Sequence, residues 1–284
     1  MRLSTEVVNY DLKTLRKKQT PILDCIDQVC RKNNLQYYIW AGTLLGSVRH
    51  KGFIPWDDDM DIAMPRPDYD RLMEHCHEWM PAPFEVIGSH NRPDYPYPFA
   101  KVIDGSTTLL ERPDFFFPEG VYIDIFPLDG FPSDEQLAQK HLKHYRLWRH
   151  LLFLRGRDPF KHGKGPRSWY PFLLHKLMSL SWIQNKVQGI MKQYRFEDCE
   201  RVIDFKLMQH GVVEKKWLGK EKAYEFEGKM YNGVDDADAC LSAFYGDYMT
   251  LPPKEKQAQH IYMYLDLDTP YREYMQQHHL TIDS

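Results

Sequence analysis

Four aspartates crowd into five positions within Pro55-Trp56-Asp57-Asp58-Asp59-Met60-Asp61-Ile62. On an extended chain, residues two apart face the same side, so Asp59 and Asp61 project together while Met60 and Ile62 turn inward. Carboxylates this close raise one another's pKa unless a cation sits between them. A hard divalent ion with oxygen ligands, Mg²⁺ or Mn²⁺, removes that conflict. A third acid stands in Val121-Tyr122-Ile123-Asp124-Ile125-Phe126, where the apolar residues share one face and Asp124 takes the other. If that strand lies beside the first, the site has three carboxylates. It can then hold one or two metals about 4 Å apart that neutralise a diphosphate and its leaving group. Upstream, Gly42-Thr43 falls between a strand and a helix start. Free N–H groups and the helix dipole favour phosphate there, and glycine permits close backbone approach. Arg49 and Lys51 add positive charge near the same mouth.

These residues need elements to hold them. Leu12, Leu15, Ile22, Ile26 and Val29 recur near helical spacing, with Thr20-Pro21 as a helix restart. A short strand is expected over 36–40, a turn at 41–43 and a helix over 44–50. The region 59–64 alternates as a strand, and 67–80 reads as a helix. Further short strands are expected at 84–88, 99–103 and 107–111, and another at 121–126. Long helices follow over 133–155 and 168–195. Strands interleaved with helices indicate an α/β or α+β sheet.

The 284 residues carry a net charge of -3, with 27% charged and 43% hydrophobic residues, which excludes disorder, collagen and coiled coil. No run approaches the ~18 apolar residues of a spanning helix, and the first residues, with Glu6 and Asp11, hold no apolar signal core. The five cysteines (25, 30, 76, 199 and 240) are odd in number and contain no CxxC, which fits reduced thiols in a cytoplasmic protein. His75-Cys76-His77 does not read as zinc, because structural zinc sites use spaced ligand pairs.

The run from Gly42-Thr43-Leu44-Leu45-Gly46 through Arg49, Gly52 and Ile54-Pro55-Trp56-Asp57-Asp58-Asp59-Met60-Asp61 closely resembles the LicD family, which includes bacterial phosphorylcholine transferases and fukutin-related ribitol-phosphate transferases. Asp124-Ile125-Phe126-Pro127-Leu128-Asp129 resembles that family's second block. Phe226-Glu227-Gly228 and Tyr245-Gly246-Asp247-Tyr248-Met249, followed by Pro252-Pro253, resemble its C-terminal block. The resemblance spans most of the chain, so residues 1–284 read as one LicD-type domain. Its catalytic core covers about 35–130, a basic helical insert 131–198 and a C-terminal segment 199–284. The resemblance implies a nucleotidyltransferase-like mixed sheet flanked by helices, with metal ligands at Asp59, Asp61 and Asp124. Thr43 stands where the family carries Gly or Ser, and no match to the Cys-rich zinc element of the animal members is present.

The implied reaction moves a phospho-alcohol, such as phosphocholine, from a CDP-activated donor to a sugar hydroxyl of a lipopolysaccharide or teichoic acid precursor, and releases CMP. Phosphoryl transfer is mainly positioning and charge stabilisation. In that reading Asp124 is a ligand or the acceptor of the hydroxyl proton. Gly42, Thr43, Arg49 and Lys101 hold phosphate oxygens, Trp56 stacks on cytosine or walls the site, and Asp58, Tyr245 and Asp247 bind substrate. The acids compete with solvated loop roles, Arg49 and Lys101 with surface charges, Trp56 with core packing, and Tyr245 and Asp247 with turn residues. Other readings are nucleotidyl transfer with release of pyrophosphate, and a non-catalytic nucleotide or sugar-phosphate binder. A calcium loop at Asp57, Asp59 and Asp61 fails at Ile62, where glycine is required, and at Asp68, where glutamate is required.

Residues 140–195 carry 13 Lys or Arg and a single acid, Asp158, leaving about −15 for the rest of the chain. Aromatic residues are interleaved: Tyr145, Trp148, Phe153, Phe160, Trp169, Tyr170, Phe172 and Trp182. Such a segment suits peripheral contact with an anionic membrane at the inner leaflet, or grip on a lipid-linked sugar acceptor. Nucleic acid is not expected, since the remainder is acidic and no recognition module is present.

Overall fold

The computed structural model describes residues 10–111, 117–160, 165–257 and 259–280. Residues 161–164 of the basic segment lie outside the described residues. In chain order the main elements are α1 (Leu12–Asn33), β1 (Tyr38–Ile39), α2 (Ala41–His50), β2 (Asp61–Pro65), α3 (Arg66–Trp79), β3 (Phe84–Ile87), β4 (Ala100–Leu110) and β5 (Glu119–Phe131). Then follow α4 (Glu135–Gly156), α5 (Pro166–Leu177), α6 (Leu180–Met191), β6 (Arg201–Asp204), β7 (Val212–Glu214), α7 (Lys215–Leu218), β8 (Lys222–Phe226), β9 (Lys229–Gly233), α8 (Ala237–Tyr245), β10 (Tyr264–Asp266) and α9 (Tyr271–Gln277).

The fold is a mixed α/β sheet flanked by helices, as the alternating pattern requires. Its main path runs β1-β2-β5-β4-β10, with β3 on β4 and β6-β7 continuing from β5. All of its pairs are antiparallel except β2 and β5. β5 is buried along its whole length and is the hub of the sheet. It pairs with β4 through its first half, with β2 through its middle and with β6 through its end. The strands expected at 99–103 and 107–111 are one strand, β4, with a register shift between Asp104 and Leu109. Ser106 donates to Asp104 inside that irregularity, a local side-chain bond that reads in sequence as a break.

Helix α1 is continuous through Pro21. Leu15, Ile22, Ile26 and Val29 form its buried stripe against the main core, so packing overrides the restart that Thr20-Pro21 suggests. The long helix expected over 168–195 is two helices, because Ser179 caps α6 by accepting from the Trp182 amide at 3.2 Å. Helices α4–α6 close over a satellite core of Tyr145, Leu152, Ile183 and Val187, joined to the sheet through Ile203 and Phe205.

Two buried charged or ionisable groups make the fold testable. Arg66 and Asp129 form a bidentate pair with both contacts at 2.6 Å, and both residues are buried. Asp129→Ala leaves a buried guanidinium without this counter-charge and is expected to lower stability by ~3–5 kcal/mol, read as the midpoint of urea unfolding. His141 is buried among Phe131, Tyr194 and Phe205, and neither ring nitrogen has a hydrogen-bond partner among the described residues. Burial lowers its pKa to about 4. The unfolded chain, with a His pKa of about 6.5, then binds more protons than the folded one, so this contribution is complete above that value and is lost as pH falls towards 4. His141→Leu is expected to flatten the loss of stability between pH ~7 and ~5, compared as urea midpoints at the two pH values.

Candidate active site

One row of side chains crosses three strands. Asp61 of β2 is in register with Asp124 of β5 in the parallel pair, and Asp124 is in register with Lys101 of β4 on its other side. Residues directly paired across strands share a face, so the two carboxyls and the ammonium stand side by side. The Asp61 amide donates to the Thr43 hydroxyl at 2.8 Å, which ties the start of α2 to the start of β2. Asp124 is 6% exposed, and its Oδ1 has no hydrogen-bond partner among the described residues. Burial, then the charges of Asp59 and Asp124, hold the Asp61 carboxyl well above its usual range. Burial lifts Asp124 to about 6, against the pull of Lys101 and Lys206.

Asp59 lies just before β2, in irregular chain. The strand expected from 59 starts at Asp61 because the preceding loop is anchored elsewhere. Arg16 of α1 donates to the carbonyls of Ile54 and Asp57 at 2.8 and 2.6 Å, and Gln19 donates to the Asp58 carbonyl at 2.8 Å. Asp58 is 1% exposed and committed to the tail of the chain. It accepts from the His260 amide at 2.9 Å, pairs with the His260 ring nitrogen Nδ1 at 2.8 Å and accepts from the Tyr10 hydroxyl. Burial raises Asp58, but these hydrogen bonds outweigh it and leave its pKa low. The same bond raises His260 to about 9. His260 Nδ1 also stands 3.9 Å from Asp59 Oδ2, and Asp58, Asp59 and His260 bring ligand-type atoms within 4.8 Å of one another. Asp57 faces the N-terminus of α2, where a Cβ on Gly42 would come within 2.9 Å of its Oδ2. A side chain at 42 would therefore displace the Asp57 carboxyl from its place over the start of α2. Burial and Asp59 push Asp57 up to about 8.

The remaining expected residues divide. Lys101 is 1% exposed and held by Glu119 at 2.7 Å and Glu111 at 3.2 Å, with its ammonium 3.4 Å from the Tyr122 ring centroid. It is a fixed counter-charge behind Asp124. Arg49 donates to the Tyr248 carbonyl at 2.5 Å, joining α2 to the Tyr245–Met249 block. Trp56 is half-buried against the main core. Tyr245, at the end of α8, is 43% exposed; burial, then the charges of Asp61, Asp57 and Asp59, push its pKa up. It therefore borders the acids. Asp247 accepts from the Thr250 hydroxyl at 2.7 Å in an exposed turn.

Three residues were missed by the sequence reading. Asp204 of β6 is buried and accepts from the Trp40 indole at 3.0 Å and the Lys206 amide at 2.8 Å; burial raises it to about 6. Lys206 holds its ammonium 5.0 Å from the Phe99 ring and 5.6 Å from the Phe126 ring. It has no ion pair among the described residues, and its charge favours the ionised forms of Asp61 and Asp124. With Phe99, Arg149 and Tyr145 it closes a cavity of about 100 Å³. Ile203-Asp204-Phe205-Lys206 alternates as a strand does, so that pattern could have revealed both. His260 carried no such signal.

The row meets the needs of a divalent cation in its donor set. Asp61 and Asp124 set two like charges side by side, Asp124 is buried and one of its oxygens lacks a partner among the described residues, although the ligand-type atoms that come within 4.8 Å of one another belong to Asp58, Asp59 and His260. Asp59, Asp61 and Asp124 would hold the ion, with Lys206 facing the same side for an anionic ligand.

Residues 34–148 match the LicD/FKTN/FKRP nucleotidyltransferase domain, which contains all three acids. A lipopolysaccharide cholinephosphotransferase, LicD, of Haemophilus influenzae is 29% identical over 263 residues, 87% of this chain and 96% of its own length. An uncharacterized protein of Rickettsia prowazekii is 49% identical over 47 residues, 16% of this chain and 18% of its own. One of Rickettsia typhi is 54% identical over 41 residues, 14% of this chain and 13% of its own.

Mn²⁺ or Mg²⁺ is expected to raise the melting temperature of the wild type, since selective binding to the folded state stabilises it. Asp61→Asn removes one buried like charge. It is expected to melt at or above the wild type in metal-free buffer and to lose the metal-induced rise. Scanning calorimetry with and without the ion reads both, and an undiminished rise in Asp61→Asn rejects the ligand assignment.

Proposed function

We propose that this chain is a LicD-type transferase, on the match of residues 34–148 and the likeness to the cholinephosphotransferase of Haemophilus influenzae, and that it moves a phospho-alcohol, phosphocholine foremost, from a CDP-activated donor to a sugar hydroxyl of a cell-surface glycan precursor, releasing CMP. The observation that carries the reading is the in-register pair Asp61–Asp124, with Asp124 buried and one of its oxygens unpartnered among the described residues. The relative from Haemophilus influenzae, named for lipopolysaccharide and cholinephosphate transfer, supports the choice of substrates. In this reading residues 1–284 act as one domain, in the cytoplasm and at the inner face of the membrane, where a lipid-linked acceptor would be met.

A bound Mg²⁺ or Mn²⁺ supplies neutralisation of the donor diphosphate and of the leaving CMP. The chain supplies the rest. The acceptor hydroxyl oxygen forms a bond to the phosphorus that bears the alcohol, while the bond from that phosphorus to the CMP oxygen breaks and CMP leaves with the electron pair. The hydroxyl proton goes to a carboxylate of the row, with Asp124 the candidate because it keeps an open acceptor oxygen. Lys101 behind it and Lys206 in front hold that carboxyl ionised for longer than burial alone allows. Lys206 takes the phosphate-binding role expected of Thr43, Arg49 and Lys101, which are engaged with protein partners. The partly exposed ring of Tyr245 offers a face to the donor at the edge of the acids.

The test is turnover with CDP-choline, Mg²⁺ and a sugar acceptor. Asp61→Asn and Asp124→Asn are expected to lose ~10³-fold or more in kcat with an unchanged fold. Lys206→Ala is expected to raise KM for the donor ~10-fold, about 1.4 kcal/mol of binding, with a smaller change in kcat. Near-normal turnover in Asp61→Asn rejects the reading. Release of pyrophosphate instead of CMP replaces it with nucleotidyl transfer, and donor binding without product marks a non-catalytic binder.

A further inference from the structure

Helix α5 is built inside out for a helix on a water-facing surface. Trp169, Leu173 and Leu177 fall at i, i+4 and i+8, which places them on one face, and they are 68%, 53% and 71% exposed. Tyr170 beside them is also exposed, while Leu174 is buried against the satellite core. Phe160, itself exposed, meets Phe172 of α5 at 5.5 Å and extends the patch. A soluble surface rarely leaves so many large apolar groups contiguous and open.

The charge around this face is predominantly positive. Lys176 lies along the patch with its ammonium 4.7 Å from the Phe172 ring, and Lys186 of α6 stands 5.6 Å from the Trp182 ring. Neither has an ion pair among the described residues, and each holds its ammonium over an aromatic ring at the edge of the patch. The single acid of the segment, Asp158, is exposed and accepts from the Phe160 amide at 2.8 Å, one negative charge against the 13 Lys and Arg of 140–195. No helix among the described residues is long and apolar enough to cross a membrane, so contact with lipid would be lateral.

We infer that α5 is a membrane-docking element, its Trp169-Leu173-Leu177 stripe entering an anionic phospholipid surface while Lys176 and Lys186 meet the headgroups. Apolar insertion flanked by unpaired cations is the chemistry of an interfacial helix. A second copy of this chain would set these like charges against themselves, and a polyanionic nucleic acid would leave the Trp and Leu side chains in water. Docking here also bears on the transfer site. Helix α4, on which α5 packs, supplies Arg149 and Phe153 to the cavity that Lys206 and Phe99 close. The lipid-facing unit thus shares a cavity wall with Lys206, whose charge acts on Asp61 and Asp124, and this part of the inference rests on the proposed use of a lipid-borne acceptor and deepens it.

The experiment is flotation of the full chain with vesicles of phosphatidylcholine containing about one third phosphatidylglycerol, with pure phosphatidylcholine as control, at low salt and at ~0.5 M salt. The wild type is expected to float with the anionic vesicles at low salt and to lose ~10-fold or more of its binding in high salt or on neutral vesicles. Leu173→Ser combined with Leu177→Ser, and separately Lys176→Gln combined with Lys186→Gln, are each expected to weaken binding ~10-fold at unchanged melting temperature. A blue shift of tryptophan emission on binding is expected to vanish in Trp169→Ser. Absence of wild-type binding at low salt overturns the inference, as does undiminished binding by the leucine pair, which would reduce the effect to charge alone. A solution dimer that the leucine pair splits, or preference for RNA over vesicles, overturns it in favour of those partners. The assay contains no donor, so its failure leaves the transfer reading standing, and loss of turnover in Asp61→Asn leaves vesicle binding intact.

Discussion

The parallel pairing of β2 with β5 places two carboxyls, Asp61 and Asp124, side by side in the interior of the sheet. Adjacent strands stand ~4.8 Å apart, and at an effective dielectric of ~20 two full charges at that distance repel by about 3 kcal/mol. Burial adds a further penalty on each charge. A fold bears such a cost at a functional site when its other parts over-determine the arrangement. Here they do so by backbone register, which a carboxylate cannot escape without breaking the ladder of β5, the strand on which β2, β4 and β6 all depend.

The supports around the row act at three depths. Behind it, Lys101 is fixed by Glu119 and Glu111, so its charge reaches Asp124 without leaving its own pair. Beneath it, Thr43 holds the amide of Asp61, and Gly42 leaves room for Asp57. Above it, Arg16 and Gln19 grip the main chain of the acidic loop, and His260 with Tyr10 absorbs Asp58. One loop therefore divides its four acids between anchoring and chemistry. Asp58 is answered by a cation of the protein, whereas Asp61 and Asp124 keep their charge conflict open to an outside cation.

The legible parts of this arrangement were local and periodic. Asp61 and Asp124 stood out because each interrupts an apolar strand at a period of two, and the pattern of strands and helices gave the mixed sheet. Element boundaries failed where a side chain decided them: Ser106 bonding Asp104 inside one long β4, Ser179 capping α6, and α1 running on through Pro21 because its buried stripe outweighs the break. Residues that reach the site from far along the chain were harder. Lys206 had an alternating pattern to betray it, whereas His260, in irregular chain, had none. Asp58 looked like one more candidate in an acidic run, and only its partners from positions 10 and 260 separate it from its neighbours.

The distribution of charge follows from the same constraint. A site that keeps anionic side chains unpaired repels an anionic donor until a metal is bound, so a cation is needed near the mouth, whereas Lys101, the ammonium within the row, is taken up by Glu119 and Glu111. Lys206 meets that requirement: it faces Asp61 and Asp124 closely enough to stabilise their ionised forms, yet remains on the solvent side with aromatic rings beneath it. Arg149, from α4, lies across the small cavity from it. Placing the strongly basic helices next to the acidic sheet thus confines the positive field to one side of the site. A phosphate approaching from that side is attracted before it meets the carboxylates, and the apolar face of α5 lies on the same helical unit.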